Sequence, residues 1–215
     1  MILNKPLSFY KEEKQLFENE LVQINKKLFK LSMTRLFVFL SIIFCGWFFF
    51  GNMKVIIPVL IIGIALFFYL VTIYSDLKLL KQKKQQLIKI NQVEINVLNG
   101  DLSDLEEGEQ FKNSTHFYSH DIDLFGKGSF FQYLNRTTIN TGKQKLAAIL
   151  SQNAINTIIE KQNAIKELSN LAKWRQQFSA AGSLIKVDES TETIVKWLEN
   201  HQCFTPKSMG YLPNV

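Results

Sequence analysis

The sequence predicts an all-α fold, and three observations carry that expectation. Two apolar runs, LFVFLSIIFCGWFFFG from Leu36 and VIIPVLIIGIALFFYLVTIY ending at Tyr74, contain no charged residue. The segments flanking them place apolar residues at alternating steps of three and four, the repeat of helices that pack side by side. No alternating strand pattern competes, apart from a short extended piece at Leu184 to Val187. The expected architecture is a two-helix transmembrane hairpin with a coiled-coil cytosolic base, followed by a small helical domain.

The elements follow in order. Residues 1–35 form an amphipathic helix that begins near Phe9, after Pro6 and Ser8, with Phe17, Leu21, Ile24, Leu28 and Leu31 along its seam. Residues 36–74 form the hairpin, with spans at about 36–53 and 55–74 around the polar break Gly51-Asn52-Met53-Lys54. At about 1.5 Å per residue the second run covers roughly 30 Å, the thickness of a bilayer's hydrocarbon core. The alternatives are a hairpin buried in a soluble core, for which little other apolar sequence is available, and a signal peptide, which lacks a short basic lead and a cleavage pattern. Pro58 falls near the start of its helix, where a missing N–H is tolerated.

Residues 75–99 return as a more polar seam helix through Leu77, Leu80, Leu87 and Ile90, with Lys84 and Asn91 at intermediate seam positions and a C-cap at Asn99-Gly100. Residues 100–116, with Asp101, Asp104, Glu106, Glu107 and Glu109, read as a solvated acidic linker. Residues 117–215 read as a helical domain that is incomplete at Val215. Ser129-x-x-Gln132 and Thr141-x-x-Gln144 open two of its helices as capping boxes. Ile155, Ile158, Ile159, Ile165 and Leu168 mark a third, and Leu171, Trp174, Phe178 and Ala181 a fourth ending at Gly182. Asp188 or Ser190 caps the last, which carries Ile194, Trp197 and Leu198.

Charge sets the orientation. Lys26, Lys27, Lys30 and Arg35 precede the first span and Lys78, Lys81, Lys83 and Lys84 follow the second, whereas the turn offers only Lys54. Cytoplasmic flanks collect positive charge, so both termini are expected in the cytoplasm of a chain anchored in the inner, cytoplasmic membrane. The formal net charge of +6 is explained equally by nucleic acid and by anionic lipid. Cys45 and Cys203 lack the spacing of a metal knuckle, a redox pair or a disulfide framework.

Chemistry is hard to find. His116 and His120, with Asp121 and Asp123 beside them, have helix-face spacing for a metal, but Asn113, Ser114, Thr115 and Ser119 favour a loop, so no metal site is expected. Gly126-Lys127-Gly128-Ser129 fails the Walker A pattern at Asp121 and at Gly128 and reads instead as a glycine turn before a capped helix. No nucleophile has a linked base, so no catalytic or cofactor-binding residue is assigned and the chain by itself is not expected to be an enzyme. Lys127, Arg136, Lys143, Lys145, Lys161, Lys166, Lys173 and Arg175 face only Glu160 and Glu167, which is read either as a phosphate-contacting face or as a solvated surface.

The run Tyr118-Ser119-His120-Asp121-Ile122-Asp123-Leu124-Phe125-Gly126, followed by Gly128-Ser129-x-Phe131-x-x-Leu134-Asn135-Arg136-Thr137, resembles the start of the core domain of the MutS family of DNA mismatch-repair ATPases. Thr138-x-x-Thr141-Gly142-x-x-x-Leu146-Ala147-x-x-Leu150 and Lys161-Gln162-x-Ala164-Ile165-x-Glu167-Leu168 are similar to the helices that come next in that family. The likeness covers about Phe117 to Trp197. It implies a helical scaffold between DNA-embracing elements and a C-terminal nucleotide-binding domain, with His120, Asp121, Asp123, Phe125, Gly126, Gly128, Ser129, Asn135, Arg136, Thr137 and Gly142 as structural motif residues.

Leu134, Leu146, Leu150, Ile158 and Leu168 would form that scaffold's core, and Arg136, Lys143 and Lys145 are candidate phosphate contacts. The implied partners are the lipid bilayer, DNA, a second copy through the core and an ATPase domain of the same protein. ATP and Mg belong to that domain alone, and no cofactor is expected in this chain. The departures are equally plain: there is no Phe-x-Glu mismatch reader and no Walker A lysine, and membrane spans stand where repair proteins carry soluble domains. The rival expectation is a membrane-anchored helical scaffold with no nucleotide or DNA role.

Overall fold

A computed structural model describes residues 4–48, 53–152, 156–185 and 191–200, and all regular structure among them is helical. Two long helices dominate, α1 (Asn4–Phe48) and α2 (Met53–Leu98). Between Ser8 and Cys45 the sequence contains neither glycine nor proline, so nothing interrupts α1 where charged sequence gives way to the apolar run. Each helix holds a stretch long and apolar enough to cross a membrane, and none of either stretch is buried inside the protein. Among the described residues no other polypeptide sheathes these two stretches. Gly51 and Asn52 of the expected turn lie outside the described residues.

The two helices pack antiparallel. Lys14 Nζ donates to Gln92 Oε1 at 2.8 Å, Lys84 pairs with Glu20, the Arg35 guanidinium lies over the Phe67 and Tyr74 rings, and Ile42 rests against Gly63. Along the shared seam Phe17, Ile24 and Leu28 of α1 and Leu70, Leu87 and Ile95 of α2 are buried. Leu80, expected on this seam, is 41 % exposed. The polar seam residues do turn inward: Lys84 extends its ammonium over the Phe17 ring at 4.8 Å, and Asn91 is wholly buried.

Gly100, with φ of 88°, ends α2 in the left-handed conformation that glycine adopts freely. The Asp101 N–H then turns back to the Asn96 carbonyl at 2.9 Å.

The acidic stretch 100–116 exposes Asp101, Asp104, Glu106 and Glu109 to solvent, while its backbone is fastened to the helices that follow. Gln132 Nε2 donates to the carbonyls of Leu102 and Leu105 at 3.0 and 2.8 Å, and the Gly126 N–H donates to Glu107 O at 2.8 Å. After a 3-10 turn at Glu109–Phe111, Phe111 joins Phe125 and Phe131 in a three-ring cluster with centroids 5.4 to 5.8 Å apart. This is the main core of the head, completed by buried Leu124 and Ala147 and by partly buried Tyr118, Leu146 and Leu150. Gly108 is needed here: its φ is 72°, and a Cβ on it would lie 2.5 Å from Phe131 Cδ1.

Four short helices follow in the head: α3 (Phe130–Leu134), α4 (Asn140–Ser151), α5 (Ile158–Ser169) and α6 (Ala172–Ser183). Ser129 caps α3 as expected, its Oγ accepting from the Gln132 N–H at 3.1 Å, while Gln132 Oε1 reaches back one residue further to the Gly128 N–H at 2.7 Å. α4 instead starts at Asn140, before Thr141, with Ile139 at its N-cap and no side-chain cap.

Three of the expected core residues are corrected. Leu134, at the end of α3, is 39 % exposed, and Ile158 and Leu168 are 41 and 39 % exposed because no residue of α5 is buried. α6 departs further from its sequence pattern. Its aromatic pair Trp174 and Phe178 stacks at 5.2 Å on the solvent side, and the helix docks through its other face, where Gln176 and Ala180 are buried against α2. Ala180 shares a cluster with Phe17 and Leu87, so the head and the hairpin base form one compact unit, Met1–Leu184, rather than a domain starting at 117. Residues Ile185–Val215 make a second unit, in which α7 (Thr191–Asn200) exposes Trp197 and Leu198. Asp188, Ser190, His201 and Cys203 lie outside the described residues.

Candidate functional site

The junction between head and hairpin encloses a cleft of about 270 Å³. α1 contributes Tyr10, α2 contributes Lys89 and Glu94, the acidic stretch contributes Asp104 and Glu106, the loop after α3 contributes Asn135 to Thr138, and α6 contributes Arg175 and Gln176. Asn135 is buried, and its Oδ1 accepts from Thr137 N at 3.1 Å and from Thr137 Oγ1 at 2.7 Å. This side-chain turn lets the chain leave α3 and aims Arg136 at the hairpin. Arg136 grips Glu94 with Nε to Oε1 at 2.6 Å and Nη2 to Oε2 at 3.3 Å, while Nη1 donates to the Tyr133 and Asn135 carbonyls at 2.9 and 3.1 Å.

Lys143, at the opening of α4, pairs with both oxygens of Glu106 at 2.7 and 2.6 Å. Of the three expected phosphate contacts, Arg136 and Lys143 therefore have carboxylate partners, and Lys145 alone is exposed without one among the described residues. An incoming phosphate would have to displace a carboxylate held at hydrogen-bond distance, so the three do not make a ready anion site. Burial raises the Tyr10 hydroxyl above its ordinary pKa, the Glu94 charge adds to the rise, and Arg175 and Arg136 oppose it.

The docking face of α6 closes the far wall of the cleft. Gln176 Nε2 donates to Asn91 Oδ1 at 2.8 Å, Asn91 Nδ2 donates to Leu87 O at 2.7 Å, and Lys173 pairs with Glu13 at 2.7 Å. Thr138 Oγ1 lies 2.8 Å from where a Cβ on Gly182 would stand, so the loop and the helix meet at van der Waals contact. The chemistry on offer is clamping: acids meet bases across the joint.

The remaining motif residues lie elsewhere. His120, Asp123 and Phe125 border a second cavity of about 250 Å³, with Lys112, Asn113 and Ser119. The segment is a series of turns, not a helix. His116 is held structurally, its Nδ1 accepting from Ser119 N at 3.2 Å and its Nε2 bonded to Ser151 O at 2.9 Å. Asp121 is exposed, while Asp123, Gly126 and Gly128 all have positive φ, which accounts for the two glycines. Gly142 faces Thr137 at 3.4 Å, ordinary contact for a Cβ, so no close approach requires glycine there. Among the described residues no three metal-ligating side chains cluster.

No family model, curated protein or solved structure matches the chain. The joint's key residues Glu13, Glu94 and Gln176 carried no signal in the sequence. Asn91 carried one, as a polar residue on an apolar seam.

Proposed function

We propose that this chain is the membrane-anchoring scaffold of a MutS-related ATPase, non-catalytic in itself, whose hairpin crosses the cytoplasmic membrane and whose base presents the head to the cytoplasm. The observation that carries the membrane reading is the pair of apolar stretches in α1 and α2, whose most apolar windows have no residue buried inside the protein among the described residues. The lysine-rich flanks support cytoplasmic termini. The buried seam through Phe17, Leu28 and Leu87 supports a coiled-coil base that holds the head at a fixed register.

The MutS-related part rests on the motif residues from Tyr118 to Leu168. In this reading the head is the first portion of a core that couples to a nucleotide-driven domain and to a second copy, with ATP and Mg bound by that domain. Contact with DNA is weak and salt-dependent, because Lys145 is the one expected phosphate ligand without a carboxylate partner among the described residues.

The rival scaffold with no nucleotide or DNA role gains from one observation, the exposed apolar side chains Ile159, Ile165, Trp174 and Phe178 on α5 and α6. One experiment tests the topology common to both readings and a second separates them. Cysteine placed at Asn52 should react with an impermeant reagent from outside intact cells, and reaction only after lysis would overturn the topology. Reading the gene past Val215 should reveal a strand followed by Gly-x-x-x-x-Gly-Lys-Ser/Thr, and a stop codon there would leave the rival scaffold.

A further inference from the structure

Arg35 is the last charged residue before the first apolar run, and Tyr74 is the last residue of the second. The hairpin brings them together. The Arg35 guanidinium carbon lies 5.1 Å from the centroid of the Tyr74 ring and 5.4 Å from that of Phe67, so two aromatic rings of α2 hold it by cation–π contact. Its Nε is buried with no hydrogen-bond partner, and among the described residues Arg35 forms no ion pair. Arg35 is half-buried, and a guanidinium keeps its proton in any protein environment, so its charge is permanent. It calls for an anion.

The neighbouring helix surfaces do not supply one. Between the Arg35 clamp and the Lys84–Glu20 pair lie Lys26, Lys27 and Lys30 of α1 and Lys78, Lys81 and Lys83 of α2, with Asp76 as the sole acid of that stretch of α2. A collar with this excess of positive charge, set where the apolar spans begin, meets phospholipid headgroups at the cytoplasmic surface. A planar guanidinium accepts a phosphate through two parallel hydrogen bonds, which an ammonium cannot do.

We infer that Arg35, clamped between Phe67 and Tyr74, is a binding site for the phosphate of an anionic phospholipid of the cytoplasmic leaflet. The lysine collar supplies long-range attraction, and Arg35 supplies the directional contact. This inference rests on the membrane-spanning reading of the hairpin.

The test is native mass spectrometry of the full chain released from detergent after titration with phosphatidylglycerol or phosphatidylcholine. It compares the unaltered protein with Arg35→Lys, Arg35→Gln and the collar variant Lys26→Gln/Lys27→Gln. The unaltered chain should retain phosphatidylglycerol over phosphatidylcholine, Arg35→Lys should lower that retention about tenfold despite its unchanged charge, and the collar variant should keep a distinct bound lipid. Equal retention by Arg35→Lys and the unaltered chain, or equal retention of the two lipids, overturns the site. Displacement of the lipid by millimolar inorganic phosphate assigns the pocket to a free anion and overturns the lipid assignment. Insertion into vesicles is scored in parallel. A chain that stays in the aqueous phase removes the membrane reading and the site together, whereas one that inserts without lipid preference removes the site alone.

Discussion

The Asn91–Gln176 hydrogen bond ties the head to the base of the hairpin. Asn91 is fully buried on α2 and Gln176 nearly so on α6, and their 2.8 Å contact joins residues 85 apart in sequence. Gln176→Ala leaves Asn91 Oδ1 in an apolar cluster of Phe17, Leu87 and Ala180 without its donor. An orphaned buried acceptor costs about 1–3 kcal/mol, so docking of α6 should weaken by roughly 5- to 150-fold. Asn91→Leu should cost a similar amount by orphaning the Gln176 amide.

The double variant Asn91→Leu/Gln176→Leu removes both polar groups and should recover most of that loss, because neither partner is left unsatisfied. Amide hydrogen exchange of α6 in nanodiscs reads the docking equilibrium directly, and the four proteins form a double-mutant cycle. Each single variant should exchange the α6 amides faster, and the double variant should return toward the unaltered rate. Unchanged α6 exchange in the single variants, or a double variant at the sum of the two losses, would refute the claim that this bond fixes the joint.

Other perturbations test neighbouring parts. Gly108→Ala forces a left-handed backbone on a residue with a Cβ and drives that Cβ into Phe131, so the head should lose about 2–4 kcal/mol by urea denaturation. Glu94→Ala strands Arg136 beside the cleft and should cost about 1–2 kcal/mol, with Glu94→Gln intermediate in the same assay. Because the Tyr10 pKa is raised in the folded chain, the native state holds its proton more tightly. Its contribution is intact below the ordinary tyrosine value and lost as pH climbs through the folded one, so the denaturation midpoint should fall less steeply above pH ~10 in Tyr10→Phe. Any binding of duplex DNA by the chain should disappear between low and physiological salt and should be lowered by Lys145→Gln, as read by fluorescence anisotropy.

The long helices were legible because their signals are local: absence of charge over a whole run, absence of glycine and proline, and a three-four repeat that recovers Phe17, Ile24 and Leu28. The cap at Ser129 and the turn at Gly100 were legible for the same reason. What failed is what depends on distant partners. The stripe Leu171, Trp174, Phe178 looks like a core face, yet α6 meets the hairpin through Gln176 and Ala180, where a small residue permits close approach to Phe17 and Leu87. The acidic run looks solvated because composition reports side chains, whereas its attachment to the head is through backbone carbonyls that Gln132 finds about thirty residues on. Arg136 and Lys143 were legible as bases but not as bases already engaged, since Glu94 and Glu106 are remote in sequence.

Gly63 has a bearing on how the two long helices stay together. Ile42 occupies the notch that its missing side chain leaves, with Cγ1 2.6 Å from where a Cβ would be. Among acyl chains two greasy rods gain nothing by hiding from their surroundings, and they adhere only through such knob-and-hollow fit. On the membrane-spanning reading proposed above, this fit is what keeps the two rods in one register, since acyl chains give them no other reason to stay together.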